Sequence, residues 1–235
     1  MKPYLKFGPL LKAKLIRRYQ RFLADAKLVD GSIITAHCPN TGAMTGCMQS
    51  DGIIWLSQNH NPKRKYAYTW ELSQMPNSLV GINTLNANRL VKPALMQGAI
   101  PEITTRGIVK PEAAIGASRL DFMVSGPENT AYIEVKNCTL VREGVASFPD
   151  AVTLRGQKHL QELMALACKG YESVIFYLIQ RKDAHIFRPA YDIDPEYAAL
   201  LQKAYNGGVK IIAYDTVIDS DKIVLGRSLA FDLAF

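Results

Sequence analysis

The feature that most limits the fold of this chain is a change of periodicity close to Gly81. Before it, apolar residues come in short runs between turn signals, without helical spacing. Residues 11–19 and 22–29 are rich in strand formers, Asp30-Gly31 is a hairpin signal, and residues 32–37 continue as a strand. Pro39-Asn40-Thr41-Gly42 and Asp51-Gly52 carry turn chemistry, and residues 53–57, 66–72 and 79–82 are further strands. About five strands in a segment of this length predict a small β-barrel. An OB-fold fits the count and size, and the count alone also fits an SH3-like barrel.

After Gly81, strands and helices alternate. Asn83 caps a helix through Leu85, Asn88, Arg89 and Leu90, with Pro93 marking a break or a second start. Residues 119–124 and 131–139 read as strands joined by Ser125-Gly126-Pro127-Glu128-Asn129. Residues 150–169 place Val152, Leu160, Leu163, Met164 and Ala167 on one helical face. Residues 173–179 form a continuous apolar run, as a buried strand does. Asp194 and Pro195 open another helix, which ends at Asn206-Gly207-Gly208, and residues 209–214 form the last core strand. This order predicts a mixed α/β sheet with flanking helices. The chain thus divides into a β-barrel, residues 1–81, and an α/β unit, residues 82–235, packed closely for want of a Pro- or Gly-rich linker.

Charge follows the same division. The formal net charge is +7, and all of it lies in residues 1–81, with 11 Lys or Arg against 4 Asp or Glu. The basic residues cluster at Lys12, Lys14, Arg17, Arg18 and Arg21 and again at Lys63, Arg64 and Lys65, with Tyr19, Phe22, Trp55, Tyr66, Tyr68 and Trp70 nearby. Basic side chains neutralise phosphates and aromatic faces stack on unpaired bases, so the front unit is expected to bind nucleic acid. Trp55 and Trp70 themselves read as core residues. The four cysteines form no CxxC pair, and His37-Cys38 with Cys47 matches no standard zinc spacing. Reduced thiols, no apolar leader and no membrane-length apolar run lead to the expectation of a cytoplasmic protein. No phosphate-cradling Gly-rich loop is present, so nucleotide hydrolysis is not indicated.

The chemistry is expected in the hairpin of residues 119–139. Glu134 and Lys136 are two apart on a strand and share a face. Folding the hairpin about Pro127 and Glu128 sets Asp121 opposite Glu134, within about 5 Å at Cβ. Two such carboxylates need a proton, a basic side chain or a cation between them. Lys136 and Arg119 make an ion-pair cluster one solution; Mg²⁺ held by the two carboxylates and water is the other. In the second case Lys136 would orient or deprotonate the attacking water, or steady the phosphate.

Asp121, a hairpin, Glu134-Val135-Lys136 and then a helix resemble the active-site order of the PD-(D/E)xK nuclease superfamily, although Leu120 stands where its Pro would be. Pro149-Asp150 is a decoy, since it follows the Glu-x-Lys pair. The resemblance implies Asp121, Glu134 and Lys136 as catalytic residues and Mg²⁺ (or Mn²⁺) held by Asp121 and Glu134. It further implies Glu112 as a third ligand from the preceding helix, and Arg155, Gln157 and Lys158 approaching the phosphate. A closer resemblance is to the sugar fermentation stimulation protein A (SfsA) family. It rests on His37-Cys38-Pro39-Asn40-Thr41-Gly42-Ala43-Met44, Lys63-Arg64-Lys65-Tyr66, Thr69-Trp70-Glu71-Leu72 and Val80-Gly81-Ile82-Asn83-Thr84. Arg119-Leu120-Asp121-Phe122, Ile133-Glu134-Val135-Lys136 and the stretch from Phe148 to Leu160 complete it. That family implies an OB-like front domain, a nuclease-like back domain, DNA as partner and a regulatory link to sugar use, including maltose. Nucleic-acid contacts are then expected from Arg17, Arg18, Arg21, Asn40, Lys63, Arg64, Lys65, Arg155, Gln157 and Lys158. Asn40-Thr41-Gly42 reads equally as a substrate-contacting loop or a plain turn. His159 is expected as a helix histidine packed at the seam between the units. The expected function is DNA binding with Mg²⁺-dependent phosphodiester hydrolysis; the competing one is non-catalytic regulation of sugar-metabolism genes.

Overall fold

A computed structural model describes residues 2–116 and 118–234. The front holds seven strands: β1 (Tyr4–Lys6), β2 (Leu10–Tyr19), β3 (Leu23–Leu28), β4 (Ile33–His37), β5 (Ile53–Gln58), β6 (Tyr68–Met75) and β7 (Ser78–Gly81). Strands β2 to β6 close into a five-stranded barrel, ordered β4-β3-β2-β5-β6 and sealed by a parallel β4–β6 pairing. A parallel closure between third and fifth strands is the Greek-key arrangement of an OB-like barrel, not an SH3-like one. Alternation fills it: Ala13, Leu15, Ala24, Ala26, Ala36, Ile54, Leu56 and Trp70 point inward. Small alanines on β3 leave room for Trp70, which is fully buried and donates Nε1–H to the Leu72 carbonyl at 3.0 Å.

The back holds α1 (Leu85–Met96), β8 (Ile108–Ile115), β9 (Ser118–Ser125), β10 (Thr130–Cys138), β11 (Leu140–Arg142), β12 (Val145–Phe148) and α2 (Leu154–Ala167). It continues with β13 (Glu172–Ile179), β14 (Ile186–Pro189), α3 (Pro195–Asn206), β15 (Lys210–Ile218) and β16 (Lys222–Phe231). These strands form one mixed sheet in the order β11-β12-β14-β16-β15-β13-β10-β9-β8. α1 covers one face, with Leu90, Val91 and Ala94 against Ile133, Val135 and Phe176. α2 and α3 cover the other, with Leu160, Leu163 and Leu201 against Ile175 and Tyr177.

Several expectations are corrected. β1 pairs antiparallel with β16, so the first residues belong to the large sheet and the barrel begins at β2; three residues are too short to carry a strand signal without their partner. α1 runs through Pro93 without a break. Pro93 stands four residues after exposed Arg89, so the missing hydrogen bond falls on the outer face while Leu90, Val91 and Ala94 hold the inner one. No second helix follows: Pro111 and Glu112 lie on β8, an edge strand of the sheet, where a proline removes no ladder bond that the sheet needs. α2 begins at Leu154 after an N-cap at Thr153, leaving Val152 66% exposed rather than on the apolar face. The sheet does not end at residue 214. Asp219 Oδ1 accepts the N–H groups of Asp221 and Lys222, turning β15 back as β16.

The two units are bonded to each other. Gly81 N–H donates to the Gln180 carbonyl at 2.8 Å, Arg181 Nη1 bridges the Gly46 and Thr139 carbonyls at 3.0 and 2.9 Å, and Met44 N–H donates to Asp150 Oδ2 at 3.0 Å. Buried Glu71 of β6 accepts from Ser57, Asn83 and Asn86, tying the barrel to the start of α1. No helix among the described residues is long and apolar enough to cross a membrane.

Candidate active site

The β9–β10 ladder pairs Thr130 with Ser125 through Ile133 with Phe122. Its next step sets Glu134 against Asp121, but no backbone pair forms there. Instead Asp121 Oδ2 accepts the Val135 N–H at 2.8 Å, while Oδ1 accepts from Asn88 Nδ2 of α1 at 2.6 Å. Burial and the charge of Glu134 push the Asp121 carboxyl up to about 6. Glu134 has a side chain only 5% exposed. Burial works to raise its carboxyl, yet hydrogen bonding to His159 and the Lys136 charge outweigh it and hold the group below the usual range.

Every contact that stabilises Glu134 falls on one oxygen. Lys136 Nζ donates to Oε1 at 2.6 Å, and His159 Nδ1 bonds the same atom. Arg155 Nε, a donor, lies 3.4 Å from His159 Nε2, and the acceptor Glu134 Oε1 bonds Nδ1; together they favour the imidazole proton on Nδ1 over the 3.2 Å contact of Lys136 Nζ to that atom. Glu134 Oε2 is buried and has no hydrogen-bond partner among the described residues. An orphaned carboxylate oxygen beside a second carboxylate is the position a hard divalent cation satisfies. His159 is therefore a member of the site rather than a seam residue. Its signal was available: it lies four residues after Arg155, on the same helix face.

Glu112 does not join the pair. It stands across from Asp121 in the β8–β9 ladder, between the pairs Pro111–Phe122 and Ala113–Leu120, in a left-handed conformation (φ 53°). Its side chain is exposed and lines a groove with Arg119, Arg155, Lys158 and His159. Among the described residues, no three acidic, thiol or imidazole side chains converge as a metal cluster. The α1 position facing Asp121 is an amide, Asn88, which sequence reading passed over because it looked for an acid.

The basic residues divide by geometry. Lys63, Arg64 and Lys65 are exposed in the β5–β6 connection, with Arg64 Nη2 reaching Thr69 Oγ1 at 3.3 Å. Arg17 is 69% exposed at its side chain and pairs with Asp25 at 2.9 Å. Arg18 turns inward: its guanidinium donates to the carbonyls of Arg21, Asn40 and Gly42. The left-handed turn at Gln20 and Arg21 and the loop after β4 take these carbonyls out of the strand ladders, and Arg18 supplies donors to them. Gln157 Nε2 is likewise spent on Asp194, the N-cap of α3, at 2.9 Å. Lys158 is exposed and 3.8 Å from Glu162. Trp55 is half-buried with the Lys12 ammonium 6.0 Å from its ring centroid.

A cleft of about 460 Å³ runs from the barrel to this site. Arg21, Asn40, Thr41 and Gly42 form one wall; Lys136, Asn137, Ser147, Phe148, Asp150 and Arg155 form the other. Asp150, expected as a decoy, is the carboxylate that fastens the barrel loop through Met44.

Comparison with known proteins agrees with this architecture. Residues 16–82 match the family described as the SfsA N-terminal OB domain, and residues 85–222 the sugar fermentation stimulation protein RE domain. A sugar fermentation stimulation protein homolog of Shewanella sp. (strain MR-4) is 48% identical over 229 residues, covering 95% of this chain and 98% of the relative. One of Geobacter metallireducens is 47% identical over 223 residues, covering 94% and 96%. The structure of Pyrococcus furiosus SfsA in complex with Ca²⁺ superposes with a TM-score of 0.90 at 26% identity, covering 99% of both chains.

Proposed function

This chain belongs to the sugar fermentation stimulation protein family, and from that premise we propose that it binds DNA and hydrolyses its phosphodiester bonds with a divalent cation, Mg²⁺ or Mn²⁺. The observation that carries the reading is Glu134 Oε2, buried and without a partner among the described residues, beside a second carboxylate. The Ca²⁺ complex of the Pyrococcus relative supports a divalent ion in this fold. Asp121 and Glu134 hold the cation, and Glu112 contributes at most an outer carboxylate from the groove. When bound, the cation supplies Lewis-acid polarisation of a phosphodiester oxygen. Lys136 Nζ, fixed by Glu134 Oε1, orients the attacking water or the phosphate. His159 locks Glu134 in one orientation, and Arg155 fixes the tautomer of His159. Lys63, Arg64, Lys65 and Arg17 add exposed positive charge along the barrel for the sugar–phosphate backbone.

The test is calorimetric titration with Mg²⁺ and Mn²⁺, wild type against Asp121→Ala, with cleavage of labelled DNA in the same samples. Binding lost in the variant, with cleavage by the wild type, supports the proposal. Absence of metal binding in the wild type overturns it. One observation favours a second reading: the Lys136 ammonium already balances the Glu134 charge, His159 bonds the same oxygen, and no third acidic ligand converges on it among the described residues. DNA binding without cleavage would make the chain a regulator acting on sugar-metabolism genes.

A further inference from the structure

The cleft between barrel and sheet is too small for a duplex and carries the wrong chemistry for a bare backbone track. Its volume of about 460 Å³ is that of a small-molecule pocket, whereas a B-DNA duplex, whose major groove alone is about 12 Å wide, is far larger. Its walls cannot part freely. Met44 is bonded to Asp150 at 3.0 Å, Thr84 Oγ1 to the Pro39 carbonyl at 3.1 Å, and Arg181 to both Gly46 and Thr139.

The lining combines two chemistries. Lys136 and Arg155 belong both to the cleft and to the carboxylate cluster, so the cleft adjoins Glu134. Asp150, Asn40, Asn137 and Ser147 line the same cleft, with the half-buried Phe148 ring, itself packed on Tyr177 and Tyr197, as its apolar part. Asn137 spends its amide oxygen on Gln180, which leaves its NH₂ group as a donor. Carboxylate, amide and hydroxyl groups beside a ring suit a base edge and a base face, because exocyclic amines donate to carboxylates and bases stack on aromatics. The Lys136 and Arg155 cations suit the phosphate attached to that base.

We propose that this cleft holds one unpaired nucleotide, base inward between Asp150 and Phe148 and phosphate at Lys136 and Arg155, so that the protein acts on single strands or unpaired ends. The inference rests on the phosphodiester reading above and names its substrate class. Arg18, which fastens Arg21, Asn40 and Gly42 together, is a positioning residue for the barrel wall.

Fluorescence anisotropy without divalent metal separates binding from cleavage. The probes are a single-stranded DNA, the same sequence as RNA, and a fully paired DNA duplex whose blunt ends are held shut by interstrand cross-links. Two exposed cleft residues from opposite walls are enlarged with aliphatic bulk that offers no stacking face, Ala151→Leu and Thr41→Leu. The single strand is expected to bind about tenfold more tightly than the closed duplex, the worth of one stacked base. Each variant is expected to lose that advantage while keeping wild-type affinity for the duplex. Equal affinity for strand and closed duplex, or an advantage untouched by both substitutions, overturns the proposal. DNA and RNA strands binding within about threefold of each other support a base-reading cleft, and a larger gap in favour of either identifies that strand as the source. Cleavage is scored separately with Mg²⁺: internal cutting of the closed duplex removes the cleft and keeps the hydrolase, whereas no cleavage removes the hydrolase and leaves the anisotropy result standing.

Discussion

Asp121 Oδ2 accepts the backbone N–H of Val135 at 2.8 Å, and this bond replaces the backbone pair that would have continued the β9–β10 ladder. A side chain thus holds the two strands where Glu134 must face Asp121. The bond ties the acidic pair to the end of a regular ladder, and the pair's repulsion is stored there.

Asp121→Asn should stabilise the metal-free protein by about 1 kcal/mol at pH 8, since the amide oxygen can still accept from Val135, the new NH₂ can donate to Asn88 once that amide turns over, and the like charge is gone. The Asp121 carboxyl is raised from 3.8 to about 6, so the folded state holds its proton more tightly than the unfolded state. Wild-type stability therefore falls as pH rises through that interval, and the variant's gain should vanish below pH 3.8. Urea denaturation at pH 8 and pH 3.5 without metal measures both.

His159→Ala should reduce metal-dependent cleavage roughly 10- to 100-fold while leaving DNA affinity unchanged. Without the imidazole, Glu134 Oε1 retains only Lys136 and the carboxylate can rotate. His159→Gln, which keeps a donor, should recover part of the rate; equal loss in both variants would show that packing alone is at stake.

Gly42→Ala should loosen the seam. A Cβ built at Gly42 falls 2.3 Å from Asp150 Oδ1, and that carboxylate is held by Met44 N–H. A loss of about 2 kcal/mol is expected. In Asp150→Ala the same substitution should cost much less, a coupling that a double-mutant cycle in urea reads directly.

Glu172 predicts the acid limb of the stability profile. Burial acts to raise its carboxyl, but Lys210 and the N–H groups of Thr104 and Thr105 hold it at about 2 instead of 4.5. A depressed carboxyl contributes stability that is complete above the unfolded value and drains as pH falls toward 2. With Lys210 40% exposed, the contribution is on the order of 2 kcal/mol. Glu172→Gln should lose it at pH 7 and match the wild type near pH 2.

Replacing Lys63, Arg64 and Lys65 with Ala should flatten the slope of log affinity against log salt by about 2 to 3 for duplex DNA. An unchanged slope would remove the β5–β6 connection from the interface. Arg18→Ala should instead lower stability, because its guanidinium is spent on three backbone carbonyls.

The barrel was legible because its signal is local: Asp30-Gly31 makes a hairpin and alternation on β2 and β5 chooses the inward face. The opposition of Asp121 and Glu134 was legible for the same reason, since one hairpin turn sets both. β8 was misread because Pro111 and Glu112 imitate a helix start, and only the neighbouring β9 makes them an edge strand.

Sequence by itself determined a small β-barrel followed by a mixed α/β unit and placed Asp121, Glu134 and Lys136 on one hairpin; the parallel β4–β6 closure that makes the barrel OB-like appears only in the tertiary structure. Tertiary structure alone decided what surrounds them. It set Asn88 on Asp121, His159 on Glu134, Arg18 on its own loop and Asp150 across the seam. Those contacts join residues from 22 to 106 positions apart, and no local periodicity encodes a contact whose partner arrives on another element.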